Sequence, residues 1–97
     1  FRLGPFSMNT ETHQVFKQEE EILLTQKEFQ LLEYLIRHKG KVCRRNKIMD
    51  TIWGLDATSD SGVIDVFINA LRKKLKIQKD EEFIQTIRGV GYIARES

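Results

Sequence analysis

The sequence is short of several things, and each shortage excludes a class of protein. It has one cysteine, Cys43, in 97 residues, so no disulfide can form within the chain. That usage is compatible with a reducing compartment, and a cytoplasmic protein is expected. No stretch approaches the run of about 18 apolar residues that a membrane-spanning helix needs. These residues show no signal-peptide pattern, and no membrane partner is expected. The only histidines are His13 and His38, far apart in the chain. Neither sits near an acid-rich segment that would make a reaction cleft, so no catalytic residue, metal ligand or cofactor is expected. The acidic run Glu19, Glu20, Glu21 reads as a solvated turn. The "GVG" at residues 89–91 lacks a third glycine and joins two strands, so it is no dinucleotide site. No repeat or low-complexity tract is present. The chain opens at Phe1, not Met, inside a strand, and reads as part of a longer protein.

What is present suits one soluble domain of mixed composition. The net charge is only +2, which by itself says little about partners. Its distribution says more. Residues 36–53 hold Arg37, Lys39, Lys41, Arg44, Arg45 and Lys47 against Asp50 alone, and residues 72–79 hold Arg72, Lys73, Lys74, Lys76 and Lys79 with no acid. The first 35 residues run the other way, with six acids against three bases. Such a split is compatible with one basic face and one acidic face, and equally with two solvated, lysine-rich helix surfaces.

Residues 1–24 read as short strands, "FRLGPFSM", "QVFK" and "EILL", separated by polar turns. A helix is expected over 25–39. Thr25 and Glu28 have the spacing of a capping box. Phe29, Leu32, Leu35 and Ile36 form its apolar stripe, and Gly40 can supply a left-handed exit. His38 reads as a surface residue at that helix end. A second helix, 45–53, carries Ile48, Met49, Ile52 and Trp53 at one-turn spacing and stops at Gly54. A loop, 54–61, leads to a third helix over 62–76. There Ile64, Phe67, Ile68, Leu71 and Leu75 share one face and read as core. "FIQTI" and "YIA" then flank a glycine-containing turn, a hairpin over 83–94. The fold class is α+β: an N-terminal antiparallel sheet, three helices of which the second and third resemble a helix-turn-helix with an enlarged turn, and a hairpin wing.

The outer face of the third helix carries Asp65, Val66, Asn69, Arg72, Lys73 and Lys76, with Ala70 at its edge. An α-helix fits the DNA major groove, where Asn can pair with adenine, Arg with guanine, and small apolar groups can touch a thymine methyl. Val66, Asn69 and Ala70 would make an A·T-favouring surface. Arg72 and Lys73 would reach phosphate or guanine, and Lys74 and Lys76 would add general attraction. The same residues would also suit an ordinary solvated helix back. Arg88, at the hairpin tip beside Gly89 and Gly91, could enter a minor groove, or be a plain exposed turn residue.

The segments "LTQKEFQLLEYL", "GKV" followed by Arg45, "IWG", "IDVFINALRKKL" and "IQTIRGVGY", in this order and spacing, resemble the DNA-binding effector domain of the OmpR/PhoB response regulators. The resemblance spans nearly the whole chain. It implies a winged helix with a four-stranded N-terminal sheet and the output half of a phosphorelay, controlled by a receiver domain of the same protein. It assigns base and phosphate contacts to Gly62, Val66, Asn69, Ala70, Arg72 and Lys73. The wing arginine falls on Arg88, with contacts from Thr86 and Tyr92, and further phosphate contacts fall on Arg45 and the backbone near Trp53. Leu55, Asp56 and Asp60 fall in the loop that touches RNA polymerase in some members. The chain also departs from the family pattern. Gly62 and Val63 replace an Arg-Thr pair, Phe67 a histidine, and Asn69 and Ala70 a basic pair. Arg44 replaces the Ser/Thr cap of helix two, which costs typically ~1 kcal/mol if nothing else serves.

Two readings follow. In the first, the chain binds specific sequences of double-stranded DNA, in tandem half-sites, as the output of a response regulator that dimerises at full length. The missing basic residues then imply a different, A·T-richer operator, or weak binding that depends on dimerisation or a partner. In the second, the chain is a winged-helix protein-interaction module, with RNA polymerase as the partner and exposed Val66 and Ala70 in the contact. Neither reading requires an enzyme.

Overall fold

The computed structural model describes residues 1–54, 62–77 and 83–96. The N-terminal strands are β1 (Arg2–Leu3), β2 (Phe6–Asn9), β3 (Gln14–Lys17) and β4 (Glu20–Ile22), joined antiparallel in sequence order. Alternation selects the inner face: Leu3 lies opposite Phe6, and Val15 lies between Met8 and Ile22. All five are buried. The reversals are tight. Asn9 Oδ1 accepts the amides of Glu11 and Thr12, and His13 and Gln18 take positive φ.

Helix α1 (Gln26–Arg37) begins with the capping box that Thr25 and Glu28 imply. Thr25 Oγ1 accepts the Glu28 amide at 3.3 Å, and Glu28 Oε1 accepts the Thr25 amide at 2.9 Å. Glu28 does more than cap. It is only 5% exposed, and it also accepts a bond from Lys74 Nζ at 2.7 Å. One carboxylate therefore starts α1 and ties it to the end of the third helix. The far end of α1 stops at His38, which is exposed, and Gly40 follows at φ 82°.

After α1 comes β5 (Cys43–Arg44), a strand the sequence did not betray, because two residues are too few to show alternation. Helix α2 (Arg45–Ile48) runs straight into a π-helical turn, Met49–Trp53, and Gly54 at φ 71° ends it. Arg44 makes no side-chain cap, as its chemistry implies, but Asn46 Oδ1 accepts the Lys47 amide. At the other end Lys27, from α1, donates to the Ile52 carbonyl at 2.7 Å. Helix α3 (Gly62–Lys74) buries Ile64, Ile68 and Leu71, with Leu75 just beyond. Phe67 is half-buried, edge-on to the Trp53 ring at 5.2 Å. Strands β6 (Ile84–Ile87) and β7 (Gly91–Ala94) form the hairpin. The short β5 pairs with β7, so this second sheet has the order β5-β7-β6. Phe83 meets Phe6 edge to face at 5.3 Å, which joins the two sheets through one core. The architecture is a winged helix: helices between an N-terminal sheet and a C-terminal hairpin.

Gly91 is where the wing root depends on having no side chain. A Cβ there would lie 1.9 Å from the Cys43 carbonyl oxygen, which is backbone and cannot swing aside. Gly91→Ala is therefore expected to separate β5 from β7 and to cost about 1–3 kcal/mol or more, read from the urea midpoint. Burial pushes the Glu28 carboxyl up, but the bonds from Lys74 and Thr25 together outweigh that and hold it below its ordinary value of 4.5. A depressed folded-state value adds stability above the unfolded value and loses it as pH falls through the folded one. Unfolding midpoints should accordingly drop below about pH 4.5, and Glu28→Gln should flatten that acid limb while lowering stability at neutral pH.

Candidate nucleic-acid interface

The outward side of α3 divides into two stripes with different fates. Gly62, Val66, Asn69 and Lys73 are all exposed and succeed one another at helical spacing, so they form one line along the helix. Val66 is 66% exposed. Ala70 is half-buried beside this line.

The neighbouring stripe, Asp65 and Arg72, faces protein. Arg72 Nε and Nη2 donate to the Ile84 carbonyl at 3.2 and 2.9 Å, and Nη2 also donates to Thr86 Oγ1 at 2.9 Å. Arg72, expected to reach phosphate or a base, is turned toward the wing in the DNA-free domain. Its planar fork matches a carbonyl and a hydroxyl on β6, and those bonds draw it onto the wing. Burial lowers its pKa, and the attraction of Asp65 opposes that shift. Asp65 in turn accepts a bond from Arg45 Nη2 at 2.7 Å. The Arg45 guanidinium lies 5.4 Å from the centre of the Tyr92 ring and donates to its hydroxyl at 3.4 Å. A set of polar contacts therefore links the start of α2 to α3 and both to the wing strands. Thr86 and Tyr92, its members on the wing, are cross-strand partners.

Other candidate residues also have partners within the protein. Tyr92 is only 2% exposed, so its ring is core and its hydroxyl is turned to Arg45. Lys76 lies past the end of α3 at φ 56° and pairs with Glu20 of β4 at 3.1 Å, which carries it to the N-terminal sheet. Lys74 is held by Glu28. The Trp53 ring is half-buried against Phe67, with Lys27 Nζ 5.8 Å from its centre. Thr86 remains exposed while accepting from Arg72. Leu55, Asp56 and Asp60 lie outside the described residues.

Arg88 is exposed in the turn between β6 and β7, where Gly89 at φ 73° and the Val90 amide bonded to the Ile87 carbonyl make the reversal. Thr86 is two residues before it, so the Arg72–Thr86 bond sets the wing beside the exposed line on α3. Arg44 and Lys47 are exposed at the start of α2, and Arg44 lies opposite Gly91 at the wing root. Sequence reasoning chose Arg45 here and passed over these two. The basic cluster of 36–53 contained them, but which arginine turns inward depends on Asp65, twenty residues away.

Residues 19–94 match the family described as transcriptional regulatory protein, C terminal. The transcriptional regulatory protein YkoG of Bacillus subtilis is 41% identical over 85 residues, covering 88% of this chain and 37% of that protein. Two solved structures superpose closely. One is the response regulator DrrB of Thermotoga maritima, an OmpR/PhoB homologue, with TM-score 0.88 and 30% identity over 98% of this chain and 43% of its own. The other is the RstA DNA-binding domain of Klebsiella pneumoniae in complex with the RstA box, with TM-score 0.89 and 26% identity over 100% of this chain and 97% of its own. The chain spans about 40% of the length of the full-length regulators it matches. The overall fold agrees with these structures, and the chain belongs to the OmpR/PhoB family of response regulators, as a winged-helix domain of their C-terminal, transcription-regulating type.

Proposed function

We propose that this domain binds specific sequences of double-stranded DNA and is the output of a two-component regulator acting on transcription in the cytoplasm. The observation that carries the reading is the exposed line Gly62, Val66, Asn69, Lys73 on a helix whose neighbouring wing presents Arg88. A single helix face of this width enters the major groove, and a narrow hairpin beside it reaches the adjacent minor groove. The RstA domain, similar over the whole chain, is solved on its DNA box. In this reading Val66, Asn69 and Ala70 face bases, Lys73 meets phosphate or a base edge, and Arg88 enters the minor groove. Arg44 and Lys47 meet phosphates at the start of α2, where the backbone near Trp53 also approaches. Arg45, Arg72, Thr86 and Tyr92 hold the reading helix to the wing. In the full-length protein a receiver domain controls the output by phosphorylation, two copies occupy tandem half-sites, and the segment with Leu55, Asp56 and Asp60 meets RNA polymerase.

Selection of bound duplexes from a random pool is the direct test. An enriched motif is expected, with affinity falling by roughly 0.9 log units per log unit of salt for each phosphate contact. A pool that returns no motif would favour a protein-interaction role instead. Arg44→Ala should weaken binding to all duplexes and flatten the salt dependence by about one contact, whereas Arg88→Ala should weaken binding most on duplexes with a narrow minor groove. Arg72→Ala should behave differently. It is expected to lower the unfolding midpoint, at a cost of about 1–3 kcal/mol for unpaired partners, while the salt slope stays that of the unaltered domain.

A further inference from the structure

The structure assigns α3 a base preference, an inference that rests on the DNA-binding reading above. The geometry points to recognition of adjacent A·T pairs, with Asn69 on an adenine and Val66 against a thymine methyl, and with no guanine-reading arginine supplied by the helix.

Three observations carry it. First, the helix's one arginine, Arg72, is committed to the Ile84 carbonyl and the Thr86 hydroxyl. The commonest guanine contact is a bidentate arginine on O6 and N7, and this one would have to break three bonds to the wing to make it. Second, Val66 and Asn69 are both exposed and three residues apart on one line. The helical rise places them about 4.5 Å apart along the axis, close to the roughly 3.4 Å step between bases. Two neighbouring base pairs therefore lie within their joint reach. Third, their chemistries are complementary to one kind of pair. The Asn amide offers a donor and an acceptor that match adenine N6 and N7, and an exposed aliphatic group fits only the thymine methyl in the major groove. Lys73 continues the line as a flexible point charge and adds attraction without a fixed fork. Asp65, which could have accepted a bond from cytosine N4, is already paired with Arg45.

The test combines selection with two substitutions at exposed positions that leave the core untouched. The purified domain should enrich duplexes with two neighbouring A·T pairs in each half-site. Asn69→Ala should lower discrimination against G·C at one of those pairs about 5- to 150-fold, the worth of one bidentate contact, with no change in salt slope. Replacing the contacted thymine by deoxyuridine removes only the methyl. It should weaken the unaltered domain about 3- to 5-fold and leave Val66→Ala indifferent. An enriched motif with G·C at the positions that Asn69→Ala affects would overturn this inference and leave DNA binding intact. So would a deoxyuridine effect that Val66→Ala does not remove. A pool without any enriched duplex would overturn both readings.

Discussion

The surface of this domain depends on where one guanidinium goes. Arg72 leaves the outer side of α3 and bonds to a carbonyl and a hydroxyl on β6. Asp65, about two turns earlier on the same side, holds Arg45 from the start of α2. A helix packed on a hydrophobic core can still roll by a few degrees, because apolar contact is not directional. Hydrogen bonds from a rigid fork are directional. The polar contacts Arg45–Asp65 and Arg72–Thr86 therefore convert a well-packed helix into one with a set orientation to its wing. Placing the charges at the rim of the core, partly in solvent, avoids the full desolvation cost of a buried ion pair.

The same economy of position appears elsewhere. Glu28 caps α1 and anchors Lys74, so the start of one helix and the end of another are held by one carboxylate. Lys27, one residue earlier, meets the carbonyl end of the π-helical turn. Gly91 lets β5 approach β7 so closely that no other residue would fit. The contacts of Glu28 with Lys74, Lys27 with Ile52 and Gly91 with β5 each join elements far apart in sequence. Between them lies an apolar core that runs from Leu3 and Phe6 through the helices to Tyr92. What is left outward on α3 is nearly neutral: an aliphatic group, an amide and one lysine.

Much of this was legible beforehand, and for local reasons. A capping box needs four consecutive residues, a core stripe needs fewer than four turns, and a glycine turn between two β-rich runs needs about a dozen residues. Each is complete within a short window, so periodicity and residue chemistry suffice to read it. The order of those windows carried the likeness to OmpR/PhoB effector domains. It also carried the candidate list, of which Val66, Asn69, Lys73 and Arg88 are exposed where a ligand could meet them.

The sequence by itself determined the three helices, the wing hairpin, the core faces and the family, but not the two-residue strand β5. Only the tertiary structure decided which polar side chains remain available. Arg72, Arg45, Tyr92 and Lys76 carry the right chemistry for phosphate, yet each has a partner within the protein, contributed by β6, α3, α2 and β4 respectively. A helical wheel shows which way a side chain leaves its own helix. It does not show what another element, folded back from tens of residues away, has placed in its path. Partner choice among charged groups is set by distance in space, and distance in space exists only once the chain has folded.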